Sequence, residues 1–196
     1  MIQPFKDAIG DRLDYPERVP AEYQHLIPDD KARVKWILSH PLTGHVLDVG
    51  CSDGAITRRL QRTWIFADIH GVDLPWYDIR FPPPNMEPIS LYDTIFCCEV
   101  LEHLTEADAM VALKNMRVLL KPEGQLILTV PNRNCARHYT AGCRDRWRWP
   151  DHRSVWFTAK LREALNVAGF RQPTLAALYP PEMPAQSIWL LGCVNP

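Results

Sequence analysis

The chain has 196 residues and a mass of 22.6 kDa, the size of one domain at roughly 100 to 200 residues per domain. With 46% hydrophobic and 23% charged residues it is neither disordered nor fibrous, and a formal charge of -1 gives no overall pull toward nucleic acid or an anionic bilayer. Eighteen prolines, about 9% against a usual level of about 5%, imply stiff, extended connections. The opening MIQPFKDAIG puts charges and a proline where a signal peptide needs an unbroken apolar stretch, and no run of about 18 apolar residues occurs. A cytoplasmic protein without membrane insertion is expected. Cysteines 51, 97, 98, 135, 143 and 193 show no C-x-x-C spacing, so they are expected to be reduced, mostly buried thiols.

Residues 1–28 read as an irregular arm, with Pro4, Pro16, Pro20 and Pro28 separating short pieces. Asp29 or Asp30 can cap a helix in KARVKWILSH, whose Val34, Ile37 and Leu38 fall at helical spacing before Pro41. HVLDVG is a brief apolar strand ending at Gly50, followed by a tight turn through Cys51, Ser52, Asp53 and Gly54 and then the helix AITRRLQRTW. IHGVDL is a second strand, and LYDTIFCCEVL is a central strand covered on both faces. Thr105 can cap EADAMVALKNMRVLL, with a stripe of Met110, Leu113, Met116 and Leu120, and Lys121-Pro122-Glu123-Gly124 is expected to end it. QLILTVP is another buried strand. Thr158 can cap AKLREALNVAGF, which closes on Gly169, and SIWLLGCV is the last strand. Strands alternating with helices predict an α/β fold, doubly wound, with a mostly parallel sheet.

Ligands of such sheets bind outside the carboxyl ends of the strands. Glycines in the first strand-to-helix turn let a ligand approach the backbone, and an acid about 20 residues on can accept ribose hydroxyls. Gly50, Gly54 and Asp73 fit that description. A dinucleotide fingerprint needs a middle glycine where this chain has Ser52, which argues against a nicotinamide dehydrogenase. Asp48 and Asp53 would repel a pyrophosphate and tolerate a cation.

The segments LDVGCSDG, GVDL, YDTIFCCEVLEHL and LLKPEGQLILTVPN, in this order, resemble class I S-adenosylmethionine-dependent methyltransferases. The match spans roughly residues 45–131, and DHRSVWFTAKLREALNVAGF is similar to the C-terminal part of the subgroup containing ubiquinone-pathway O-methyltransferases. The resemblance implies a single Rossmann-like domain whose last strand is antiparallel, and S-adenosyl-L-methionine as cofactor. It implies that Asp48, Gly50, Cys51, Ser52 and Gly54 form the methionine-side turn, that Asp73 binds the ribose, and that Leu74 packs on the adenine. Cys98 and Glu99 would lie beside the amino-acid part, and Asp78 resembles an acid that reaches the adenine amino group. Between Asp73 and Leu91 the family has a helix and a strand, but LPWYDIRFPPPNMEPIS holds five prolines in seventeen residues, so the edge helix is expected to be missing or reduced to a turn.

Methyl transfer from a sulfonium requires in-line alignment and, for a hydroxyl acceptor, removal of its proton. Trp76, Trp147, Trp149, Trp156 and Phe157 are candidate pocket walls, or ordinary core and surface aromatics. If a helix begins as the strand ends, Glu99, Glu102 and His103 share one face. With His152 they are similar to the metal site of small-RNA 3'-terminal 2'-O-methyltransferases, although no metal is the preferred expectation. His103 and His152 are the candidate bases, with structural roles as the alternative for each. Residues 137–153, with five arginines against two aspartates, form part of an expected substrate-covering insert (132–153) that either binds an anion or RNA or faces water. The expectation is methylation of a small molecule at oxygen. Its alternatives are a metal-dependent RNA ribose methyltransferase, with nucleic acid as partner, and a non-catalytic cofactor- or partner-binding protein. Acceptor and oligomeric state stay open.

Overall fold

The computed structural model describes residues 31–52, 54–73, 92–131, 152–178 and 189–195. In chain order these form α1 (Lys31–Leu38), β1 (Gly44–Val49), α2 (Ala55–Thr63), β2 (Ala67–Val72) and β3 (Tyr92–Cys98). A 3-10 turn (Leu101–His103), α3 (Glu106–Leu119), β4 (Leu120–Pro131), α4 (Thr158–Val167), β5 (Arg171–Leu178) and β6 (Trp189–Asn195) follow. The strands make one sheet in the order β2-β1-β3-β4-β6-β5. The first four are parallel, and β6 runs antiparallel between β4 and β5. The doubly wound, mostly parallel sheet with an antiparallel last strand is therefore present.

Alternation along β3 divides the core into two layers. Ile95 and Cys97 face Leu47, Val49, Leu126 and Leu128 under α3 and α4, whereas Phe96 and Cys98 join Val46, Ile69 and Ile127 under α1 and α2. Burial of each large apolar side chain contributes about 1.5–3 kcal/mol, and a strand contributing to both layers must be apolar on both faces. Among the described residues, no helix is long and apolar enough to cross a membrane.

Thr105 caps α3: its hydroxyl accepts from the Asp108 amide at 3.1 Å and donates to Asp108 Oδ2 at 2.9 Å. The buried stripe of α3 is Ala109, Ala112, Leu113, Met116 and Leu119, with Met110 only half-buried. Leu120 belongs to β4, and Lys121-Pro122-Glu123-Gly124 does not separate helix from strand. The pairing jumps from Tyr92↔Leu120 to Thr94↔Gln125, so these residues are an excursion within β4. Thr158 is the first residue of α4, whose N-cap is Phe157 without a side-chain cap. The other end of α4 matches expectation: Gly169, at φ 95°, donates to Asn166, and Phe170 donates to Leu165, closing the helix with a left-handed glycine.

Strand β5 was not expected from RQPTLAAL. It lies at the sheet edge, and its pairing with β6 is irregular between Arg171 and Thr174, where Pro173 sits, a place in which proline is tolerated. Asp29, Asp30 and the arm at 1–28 lie outside the described residues, as does the segment 74–91 with its expected loss of a helix.

Candidate cofactor cleft and histidine pair

The carboxyl end of β1 runs into the glycine turn. Gly50 adopts φ 74°, Ser52 φ 49° and Gly54 φ 76°. The amides of Gly50 and Cys51 donate to Val72 at 2.8 and 3.2 Å, tying the turn to the end of β2. The Ser52 amide donates to Asp73 Oδ2 at 2.5 Å, which stands the Asp73 carboxylate at the lip of the turn. A Cβ on Gly50 would overlap Val100 Cγ2, so glycine is required here both for its left-handed backbone and for the close approach of Val100, two residues beyond β3.

Below the turn lies Asp48, only 3% exposed, which accepts a hydrogen bond from Thr57 Oγ1 at 2.6 Å. Burial pushes its pKa up to about 6; the Thr57 hydrogen bond works against the rise and the nearby Asp73 charge adds to it. Gly71 opens the space that Thr57 and Cys51 occupy, since a Cβ there would lie 2.8 Å from Cys51 Sγ and 2.9 Å from Thr57 Oγ1. Burial, then the charges of Asp48 and Asp73, push the Cys51 thiol up to about 12, so it is a protonated wall and not a nucleophile. Cys97 is raised well above its ordinary value, foremost by burial. Cys51, Cys97 and Cys98 are all buried free thiols, as expected; Cys135, Cys143 and the side chain of Cys193 lie outside the described residues.

At the end of β3 the chain kinks. Glu99 has φ 58°, Val100 turns back toward Gly50, and the 3-10 turn carries Leu101, Glu102 and His103. Because Glu99 is not helical and α3 begins only at Glu106, the expected single helical face holding Glu99, Glu102 and His103 does not exist. The Glu99 carboxylate instead accepts from Thr129 Oγ1 at 2.8 Å. Glu102, 2% exposed, and the half-buried His103 and His152 do come together: one ligand atom from each lies within 4.8 Å of the others. His103 and His152 pack edge to face with ring centroids 4.9 Å apart, and His103 Nε2 is 4.0 Å from Glu102 Oε1.

Backbone bonds bring the two histidines together from positions 49 apart in the sequence. Arg153 and Ser154 donate their amides to the Glu102 carbonyl at 2.7 and 3.1 Å, and Ser154 Oγ donates to the Leu101 carbonyl at 2.8 Å. Sequence reasoning missed Ser154, Thr57 and Thr129. Thr129 carried a signal, being the one polar residue in the interior of the apolar run LILTV, whereas Ser154 carried none. Trp156 is 2% exposed and belongs to the core layer, so it is no pocket wall. Asp53, Leu74, Asp78, Trp76, Trp147 and Trp149 lie outside the described residues, as does most of the expected insert.

The residues suit an adenosyl sulfonium. Asp48, Asp73 and Glu99 place carboxylates at the ends of three adjacent strands, beside the left-handed turn through Gly50 and Gly54. Residues 17–172 match a family described as a methyltransferase domain. Over 133 residues the chain is 29% identical to the ubiquinone biosynthesis O-methyltransferase of Paraburkholderia xenovorans (strain LB400), covering 58% of this chain and 56% of that protein. Its fold is similar to that of phosphoethanolamine N-methyltransferase 2 of Haemonchus contortus, solved with S-adenosyl-L-methionine, at a TM-score of 0.64 and 12% identity over 83% of this chain and 51% of that one. It is also similar in fold to the small RNA methyltransferase HEN1, at a TM-score of 0.63 and 17% identity over 85% of this chain and 25% of that one. The chain spans about half the length of the curated relatives it matches. With a family match over most of its length, on a fold whose first turn and second strand end carry the expected glycines and acid, the chain belongs to the class I S-adenosylmethionine-dependent methyltransferases, whose cofactor is S-adenosyl-L-methionine.

Proposed function

We propose that this chain transfers a methyl group from S-adenosyl-L-methionine to a hydroxyl oxygen of a small-molecule acceptor, with His103 and His152 serving the proton. The observation that carries the reading is the packed pair His103 and His152 beside Glu102, one short turn beyond the strand end that touches Gly50. The likeness to ubiquinone biosynthesis O-methyltransferase supports oxygen as the acceptor atom.

When bound, the cofactor supplies an electrophilic methyl group on a sulfonium. The chain's own residues bind and align. Gly50, Cys51, Ser52 and Gly54 offer backbone to the methionine side, Asp73 serves the ribose, and Asp48 and Glu99 add negative charge near the cationic end. Cys98 forms part of the buried wall under α1 and α2. One imidazole of the pair takes the hydroxyl proton as oxygen attacks, and the Glu102 carboxylate, 4.0 Å from His103 Nε2, stabilises the imidazolium formed there.

The test is cofactor turnover with a panel of phenols and other small hydroxyl compounds, reading methylated product and S-adenosylhomocysteine. Expected is transfer to at least one hydroxyl acceptor, with His103→Ala and His152→Ala each lowering kcat about 10²- to 10⁴-fold and leaving cofactor binding intact. Unchanged kcat in both variants removes the assigned bases.

A second reading rests on the same cluster. One carboxylate and two imidazoles within 4.8 Å suit a divalent cation that would orient and acidify a ribose hydroxyl in RNA. Glu99, the fourth donor of that set, is engaged by Thr129. Loss of turnover in chelator, restored by manganese or magnesium and seen with an RNA 3' end, would favour it.

A further inference from the structure

Two non-glycine residues among those described hold a left-handed backbone, Ser52 and Glu99, and they stand at the ends of the adjacent strands β1 and β3. Such a conformation is disfavoured for a side chain as large as glutamate and persists only where the surroundings hold it. For Glu99 one neighbour holds it at two points. Its amide donates to the Thr129 carbonyl at 3.0 Å, and its Oε1 accepts from Thr129 Oγ1 at 2.8 Å, so Thr129 grips both the backbone and the side chain. Thr129 itself cannot drift. It is 0% exposed and sits in β4 paired with Cys98 of β3 on one side and Leu191 of β6 on the other.

The kink decides what comes next in the chain. It turns Val100 onto Gly50, where a Cβ would collide with it, and it starts the 3-10 turn that carries Glu102 and His103. We infer that Thr129 is a positioning residue for the cofactor cleft, its hydroxyl setting the place of the Glu99 charge and, through the kink, the contact of Val100 with the glycine turn. Thr129 touches no cofactor in this scheme and acts only through Glu99. The inference rests on the proposed cofactor site, and its test separates the two.

The experiment is calorimetry of S-adenosyl-L-methionine with the full chain. Wild type, Thr129→Val, Thr129→Ser, Glu99→Gln, Glu99→Ala and the double variant Thr129→Val with Glu99→Ala are compared. A hydrogen bond to a charged group that orients it sets the scale of the loss. Thr129→Val, which keeps the shape and removes the hydroxyl, is expected to weaken binding about tenfold. Thr129→Ser, which keeps the hydroxyl, is expected to stay within about twofold of wild type. In the Glu99→Ala background Thr129→Val should add nothing, because the group it orients is gone. Equal loss in both backgrounds, or no loss in either, overturns the inference. Glu99→Gln, at a part-exposed site, supplies a reading independent of any folding defect at Thr129: it should lose about tenfold, and wild-type affinity there also overturns the inference. If wild type itself binds no cofactor, the site reading fails and takes the inference with it.

Discussion

Asp48 is a buried carboxylate of β1, just below the glycine turn. A fully buried acid with one side-chain donor, Thr57, and a second acid nearby is held in its charged form at a cost to stability. Its folded pKa of about 6 lies above its ordinary 3.8, so the folded state binds the extra proton between those values, and stability falls as pH rises through that window. A shift of this size corresponds to about 3 kcal/mol of destabilisation at neutral pH. Asp48→Asn is therefore expected to raise resistance to urea at pH 7.5 by about 1–3 kcal/mol, with the advantage vanishing below about pH 4. On the proposed cofactor site, the same variant should bind S-adenosyl-L-methionine more weakly at pH 7.5, since a negative charge assigned to the cationic end has been removed. A variant that is less stable at neutral pH would show that Asp48 is held by attractive contacts and not by function.

Elements without regular repeats build the candidate catalytic end. The 3-10 turn is three residues long; its Leu101 carbonyl accepts both the Leu104 amide at 3.2 Å and the Ser154 hydroxyl at 2.8 Å, and its Glu102 carbonyl accepts the amides of Arg153 and Ser154. That clasp is what seats His152 against His103. Ser154→Ala removes the buried hydroxyl that ties this segment to the Leu101 carbonyl, which keeps its bond from the Leu104 amide, at a cost of about 0.5–1.5 kcal/mol in urea unfolding. Because the loosened segment carries His152, kcat should fall more than the KM for cofactor changes, and Ser154→Thr should recover part of it. A variant with lower stability and unchanged kcat would leave His152 without a catalytic part. The element-scale error in reading the sequence arose here too: Glu99, Glu102 and His103 at spacings of three and four suggest a helix, but a left-handed Glu99 breaks it before it starts.

At the scale of the whole molecule, the sheet has a charged clamp at the end remote from the cleft. Asp93 on β3 accepts the His45 amide of β1 at 2.8 Å, and Lys121 Nζ of β4 reaches both its oxygens at 2.8 and 2.9 Å, so one carboxylate joins three strands. Partial burial alone would raise its pKa. The bonds from Lys121 and the His45 amide, with the positive charge of Lys121, outweigh that and hold it below the ordinary carboxylate value. A depressed folded pKa means the stabilisation is present above the unfolded value near 4 and is lost as pH falls through the folded value. Asp93→Asn should therefore lower Tm at neutral pH, with the gap from wild type closing under strong acid. A gap that stays constant with pH would assign the effect to packing. Asp48 and Asp93 thus act with opposite sign on the same axis, one at each end of the strands.

What the amino-acid order determined by itself was the architecture and the glycine turn with Asp73 beside it. Those depend on short-range periodicity, on glycines needing left-handed backbone, and on Asp73 following a strand by one residue, all written within a few neighbouring positions. Only the folded chain decided that Trp156 is core, that Glu99 turns to Thr129, that a proline-bearing edge strand closes the sheet, and that His152 meets His103. Each depends on contacts between segments distant in the sequence, from 11 to 24 residues for the edge strand to 49 for the histidine pair, so no local spacing rule announces them.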